Sequence, residues 1–404
     1  MAHSMRQGTP AGRPIDFCLR LQWAPSGVKT CKLPTVSRIF ISMMNIVMLQ
    51  TMAVNDRGWA RMISSHGKVV LIQQGHYERV EIWEKGEMSY EGPTVDRRSY
   101  YLLDEIVLNI VSTFRVLVYT FKFTGKQKID LVIAANHNCG LAGLILKAVG
   151  KTGKTVTFMT DYLPVRGAFH VRIHRWLTGW LNEWVTYFSD EVWLLSPRIP
   201  VGMKNPHRFV VPIVMNDNHC PVQARMAVGY IGNSSADHGL ETLFAVCRKH
   251  NLLLHVIGGS AYLDSIKHLA PPETIFHGVM TDLPAIREII SKCYCGYAVY
   301  CDTSPGSYSY YGFPSKTLTY LASNVPVVTT RVSFFSDIIA EQGIGLVVEP
   351  EFDQIEKAIL TLKNADPATS AKLINDFRSS WNAEVERFHR ERFQILCPAC
   401  ESMQ

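Results

Sequence analysis

The stretch from Tyr308 to Thr330, YSYYGFPSKTLTYLASNVPVVTT, decides how the rest of the chain is read. Ahead of it, Gly296 to Cys301 is a short apolar run with the pattern of a buried strand, and Val325 to Thr330 is another. Between them, a loop of Pro, Gly, Ser and Tyr leads into a helix predicted over Lys316 to Ser323, with Leu318, Leu321 and Ala322 on one face. Strand, loop, helix, turn and strand in that order imply parallel strands joined by a right-handed crossover. The loop then lies at the carboxyl edge of a sheet, where open α/β folds bind ligands. Pro314 and Ser315 are good helix-start residues. Lys316 puts a cation in the first turn, which the helix dipole disfavours. Free N–H groups and an ammonium at one point make an anion site that fits a phosphate; a lysine bent out to solvent is the equal alternative.

Around this unit, 404 residues with 47% apolar content allow two domains with real cores. The net charge is +6, and residues 1–38 hold six basic residues against Asp16 alone. The body is then near neutral, so no nucleic-acid-binding face is demanded. Ten scattered cysteines, such as Cys247, Cys293 and Cys301, fit a reduced, cytoplasmic setting better than a disulfide framework. Cys397 and Cys400 form a lone CPAC, which reads as a loose tail before it reads as a zinc or redox site. No secretory signal is evident. Residues 39–55 carry no charge but fall short of the ~20 apolar residues of a spanning helix. A buried first strand near Asn45 to Thr51 is expected there, with a membrane-embedded segment as the alternative.

Strands and helices then alternate through two halves. The first half gives a helix near 56–65, strands over Lys68 to Gln73 and Val80 to Trp83, and a long apolar helix over Tyr100 to Phe121. Asp130 to Ala134 is a strand, followed by a loop (AANHNCG), a helix over Leu141 to Val149 and a strand over Lys154 to Met159. A long helix over 169–188 carries Trp176, Trp180 and Trp184 four apart. Such a stripe reads first as core; a membrane-surface or partner-docking face is the alternative, because His170, Arg172, His174 and Arg175 flank its start. Glu191 to Leu195 closes this half, and the domain boundary is expected within 203–225. The alternation restarts with strands at Val228 to Ile231, Leu252 to Ile257, Thr274 to His277 and Gly345 to Val348, and helices at Leu240 to Lys249, Leu283 to Cys293 and Phe352 to Asn364. The expected fold is therefore α/β, with two doubly wound domains. A tail helix over Ser379 to Gln394 would present Glu384, Glu386, Arg387, Arg390 and Arg392 as a solvated charged face.

The order VGYIGN, LLLHVIGG, IFHGVMTDLPAI, YYGFPSKTLTYLASNVPVVTT and IGLVVEP resembles the donor-binding domain of GT-B glycosyltransferases, in the style of their large retaining, nucleotide-sugar-dependent branch. DLVIAANHNCGLAGLILKAVG, TVTFMTDYLP and FSDEVWLLSPRI resemble that class's acceptor-side domain. The resemblance spans about residues 45–395 and rests most on P-x-K-x-x-x-Y-L-A-x-x-x-P-V-V. It implies two Rossmann-like domains facing a cleft: residues 39–215 on the acceptor side, 216–378 on the nucleotide-sugar side, an extension at 1–38 and a helix and tail at 379–404. Many retaining members carry two glutamates eight apart around this loop, where this chain has Tyr311 and Thr319. They also carry an Arg and a Lys after the first strand of the domain, where this chain has Asn233 and His238.

The resemblance implies a nucleotide diphosphate sugar as donor and a glycan or lipid-linked acceptor, with no cofactor and no metal. Lys316 and the N–H groups near Gly232 and Ser315 would neutralise the departing diphosphate. The base would lie near Gly278 and Val279, and Thr319 would reach the ribose in place of a glutamate. Asn233, Gly258, Tyr311, Gly312, Phe313 and Pro314 complete the expected donor contacts. On the acceptor side, His137 would stand near the transferred sugar. Asp161 would orient or deprotonate the acceptor hydroxyl, and Arg166 would pair with it or with an acceptor phosphate. A loop histidine bonded to backbone is the equal alternative for His137, and a helix or turn cap in TDYLP the stronger one for Asp161. A non-catalytic subunit that binds a nucleotide sugar or a partner glycosyltransferase is the alternative.

Overall fold

A computed structural model of the chain describes residues 44–50, 56–73, 77–92, 95–96, 102–160, 162, 165, 169–211, 213–215, 225–313 and 315–397. The expectations for residues 1–38, Asp161, Arg166, Pro314 and Cys400 lie outside these residues.

The N-terminal half runs β1 (Met44–Gln50), α1 (Asp56–Ile63), β2 (Gly67–Gln73), β3 (Tyr77–Glu84), β4 (Glu87–Glu91), β5 (Val95–Asp96), α2 (Leu102–Thr124), β6 (Ile129–Ala135), α3 (Asn136–Ala148), β7 (Thr152–Met159), α4 (Phe169–Phe188), β8 (Glu191–Leu194) and β9 (Arg208–Val210). Its sheet has the order β4-β3-β2-β1-β6-β7-β8-β9, with β5 beside β3. The strands from β2 to β9 in that order are parallel, and β3 and β4 extend the β2 edge as antiparallel strands. The uncharged run after residue 39 thus supplies β1, an interior strand whose Ile46 to Leu49 are fully buried. Burial on both faces explains why β1 and β6 read as unbroken apolar runs rather than alternating ones.

The C-terminal half runs β10 (Ala227–Ile231), α5 (Leu240–Lys249), β11 (Leu253–Ile257), α6 (Ala261–Ile266), β12 (Thr274–Gly278), α7 (Leu283–Ser291), β13 (Cys293–Ala298), α8 (Tyr308–Tyr311), α9 (Ser315–Ala322), β14 (Val327–Thr330), α10 (Phe335–Gln342), β15 (Gly345–Val348), α11 (Phe352–Asn364) and α12 (Pro367–Leu396). Its sheet is wholly parallel, in the order β12-β11-β10-β13-β14-β15. The strand order reverses between β10 and β13, and a ligand crevice opens at such a switch point.

Besides β4, α6 and α10, which the sequence reading did not mark, three of its elements are placed differently. The strand before the Tyr-rich loop is Cys293–Ala298, so residues 299–307 are free to shape the crevice. The segment read as a loop after β6 is the first turn of α3, entered through Asn136 at φ 57°, a left-handed conformation that Asn tolerates. The tail helix starts twelve residues early, at Pro367 behind the cap residue Asp366, so the expected boundary at 378/379 falls inside α12.

That helix ties the halves together. Ile374, with Phe377 and Trp381, packs in the core of the C-terminal sheet; Phe393, Leu396 and Cys397 pack in that of the N-terminal sheet. Cys397 is therefore core rather than loose tail. Asn382 bonds both the N–H and the carbonyl of Met215, at 2.9 and 2.7 Å. The Trp59 indole donates to His389 Nε2 at 2.8 Å, which leaves Nδ1–H for the Val385 carbonyl. Full burial pushes the His389 pKa down to about 4, so this neutral tautomer is the one at ordinary pH. Arg392 is not part of a solvated face: it pairs with the buried Glu191 of β8.

Candidate functional site

The two carboxyl edges meet across the cleft. Tyr162, just past β7, sets its ring 4.7 Å from that of Tyr311. Arg198, just past β8, stacks 4.4 Å over the Tyr310 ring and donates to the Val332 carbonyl at 2.6 Å. Phe313 packs against core residues of both halves.

On the C-terminal side lies a cavity of about 370 Å³, lined by the ends of β10, β13 and β14 and the start of α9. Gly232, Asn233, Gly312, Phe313, Ser315, Lys316 and Thr319, all expected donor contacts, come together there. Gly232 has φ +125°, and a Cβ on it would stand 3.7 Å from Lys316 Cε, so the β10 turn closes directly on the lysine. Gly258 stands behind this turn: a Cβ there would fall 2.1 Å from the Gly232 carbonyl oxygen. Its N–H donates to the Gly278 carbonyl at 2.8 Å, which links three strand ends. Gly278 and Val279 lie further along the same edge and do not line the cavity; Val279 is exposed. Tyr311 also leaves the cavity and turns to Tyr162.

The sequence did not single out Tyr300, Ser309, Val332 or Ser333, which complete the wall together with Ile231 and His238. Tyr300 matters most. Lys316 Nζ lies 4.9 Å from the Tyr230 ring centroid and 5.0 Å from that of Tyr300. The nitrogen is shielded from solvent and has no hydrogen-bond partner. Desolvation lowers its pKa from 10.5 to about 7, against the smaller upward pull of Asp237. Asp237 is engaged elsewhere, accepting from the Asp302 N–H at 2.5 Å and the Ser309 hydroxyl at 3.1 Å. His238 is held at about 4 by burial and by the Lys316 charge, so it stays neutral. An aromatic cage can hold a cation, but it leaves the ammonium's three donors unmet. Among the described residues no carboxylate lines the cavity. The N–H groups of Ser315 and Gly232, expected to face the diphosphate, are spent on the Phe313 and Ile257 carbonyls at 2.8 and 2.9 Å. The donors left beside the lysine are the later first-turn N–H groups of α9, which lack intrahelical acceptors. An anion is the partner this arrangement lacks.

On the N-terminal side, His137 sits in the first turn of α3, beside Asn182 of α4. Burial, aided by the His174 charge, lowers its pKa to about 4, so its imidazole is neutral; it does not line the cavity. Among the described residues no group of three His, Cys, Asp or Glu is placed to hold a metal.

This architecture is the GT-B fold: two Rossmann-like domains with facing carboxyl edges. It is similar to HepE of Anabaena in complex with UDP, at TM-score 0.58 and 14% identity over 87% of this chain and 100% of that one. Sucrose-phosphate synthase from Thermosynechococcus elongatus is similar at TM-score 0.61 and 14% identity, over 88% and 100%. OtsA is similar at 0.60 and 10%, over 88% and 99%. Residues 225–364, which hold the cavity, match the family model of group 1 glycosyl transferases. No curated protein matches the chain in sequence.

Proposed function

We propose that this protein transfers a sugar, in the manner of a hexosyltransferase, from a nucleotide diphosphate sugar to a glycan or lipid-linked acceptor, without a metal. The observation that carries the reading is the caged, unpartnered Lys316 Nζ in a carboxylate-free cavity at the switch point. Lys316 and the α9 N–H groups hold the diphosphate, and Gly232 lets it approach the β10 turn. In the reaction, the bond between the anomeric carbon and the diphosphate oxygen breaks, and a bond from that carbon to the acceptor oxygen forms. The electron pair leaves with the nucleoside diphosphate, whose charge the ammonium offsets. Asp161 takes the acceptor proton, and neutral His137 hydrogen-bonds the transferred sugar. Thr319, on the cavity wall, takes the ribose contact.

The supporting test is to offer UDP-, GDP-, ADP- and dTDP-sugars with EDTA present and to measure release of the matching diphosphate. Turnover that survives chelation and falls with His137→Ala supports the reading; turnover abolished by chelation overturns the metal-independent part. One observation favours the non-catalytic alternative. Tyr311 and Thr319 leave no carboxylate at either position where retaining members keep a glutamate. Diphosphate binding without turnover on any donor would select it.

A further inference from the structure

The tryptophan stripe of α4 is not core. Trp176 and Trp180 are 61% and 60% exposed, and Phe169 is 77% exposed. From Phe169 to Leu181 no described side chain is buried; burial begins at Asn182 and continues through Val185 and Thr186. The cause is register. Helices α3 and α4 run side by side in the same direction: His137 meets Asn182, and one turn on, a Cβ on Gly140 would lie 2.3 Å from Val185. The thirteen residues of α4 before Asn182 thus overshoot the start of α3 by about 20 Å of helix. Helix α2 overshoots the same edge. Its Thr113 hydroxyl reaches the Asn138 carbonyl at 3.3 Å, and Ile110 and Phe114 are exposed beside that level.

The chemistry of the overhang is specific. Phe169, Ile173, Trp176, Leu177 and Trp180 share one exposed face. Arg172 and Arg175 stand among them, and residues 167–182 contain no acid. The lysines of this helical layer and its loops, Lys122, Lys126, Lys128, Lys147, Lys151 and Lys154, lie at the far end of these helices, where Lys147 and Lys154 pair with Asp190, so the charge of the overhang is that of its own arginines. Tryptophan and arginine on one amphipathic helix suit the boundary between lipid headgroups and acyl chains. Two arginines and no acid on the overhang suit an anionic leaflet. No described helix is long and apolar enough to cross a membrane, so the fit is to lying on a bilayer.

We propose that the projecting face of α4 docks this protein on an anionic lipid bilayer, with the mouth of the cleft at the lipid surface. The proposal stands apart from the reading of the donor cavity and survives its failure. The test is co-sedimentation with phosphatidylcholine vesicles, with and without phosphatidylglycerol. Wild type should sediment with the anionic vesicles and bind pure phosphatidylcholine about tenfold more weakly. Trp176→Glu/Trp180→Glu should lose about tenfold or more of the anionic binding, at an unchanged melting temperature. Wild-type tryptophan emission should shift to the blue on anionic vesicles and be quenched by brominated lipid, which reads the same contact without a substitution. Wild type that ignores both vesicle types, or binding that the double variant retains, overturns the proposal. So does a dimer that the double variant dissolves in the absence of vesicle binding, which would assign the face to a second copy of the chain.

Discussion

At the carboxyl edge of the C-terminal sheet, Lys316 is walled in by Tyr230 and Tyr300 and shielded from water. At the facing edge of the N-terminal sheet, His137 sits half-buried below two overhanging helices, and the segment with Asp161 and Arg166 follows β7. One edge is tight and holds a latent charge; the other is open, with a neutral histidine. The difference teaches where specificity of each kind is placed. A closed cup with a cation selects a small anionic group common to many donors. An open edge beside lipid-facing helices suits a larger and more variable partner.

The comparison breaks first if Lys316 is structural. Lys316→Met should weaken nucleoside diphosphate binding by about 100-fold, the loss of one buried charge-assisted contact, as read by calorimetry. The same variant should be more stable. In the wild type, the depressed pKa means that the unfolded chain binds the extra proton between about pH 7 and 10.5, so stability rises with pH across that window. Lys316→Met should lack that rise and melt several degrees higher at pH 7. A lysine kept for packing would give the opposite sign.

The next test is pH. Above about 7, free Lys316 loses its proton and binding must carry one with it, so diphosphate affinity should fall by up to about tenfold per pH unit until the lysine of the complex itself titrates. His137 and His238, both lowered to about 4, should add nothing between pH 6 and 9. Arg198→Ala should cut turnover by about tenfold while leaving diphosphate affinity within about twofold, because Arg198 bridges the edges and does not line the cavity. The smallest effect expected is on stability alone: Trp59→Phe should cost about 1 kcal/mol by removing the indole donor to His389, with no change in ligand binding.

Much of the fold was legible because strands buried on both faces are unbroken apolar runs, as are IVML of β1 and LVIAA of β6. The Lys316 loop was legible because a cation in a helix's first turn goes against the dipole. Tyr300 and Val332 were not, because they reach the cavity from strand ends far apart in sequence, and no local pattern marks them. The stripe of α4 was misread because spacing of four residues is the same whether a face meets a core or a partner. The polar residues that α4 does bury, Asn182, Thr186 and Ser189 just beyond it, carried the contrary signal. The length of α12 was legible in principle from Asp366 and Pro367, a cap followed by proline at the first helical position.

The central claim is that the Lys316 cage is an anion site whose cation is only partly protonated near neutral pH. The direct measurement is proton uptake on binding UDP at pH 8, by calorimetry in buffers of differing ionisation enthalpy, for wild type and Lys316→Met. The account predicts uptake approaching one proton in the wild type and none in the variant, because the bound phosphates restore the ammonium. Tight binding without proton uptake, or uptake unchanged in Lys316→Met, would contradict it.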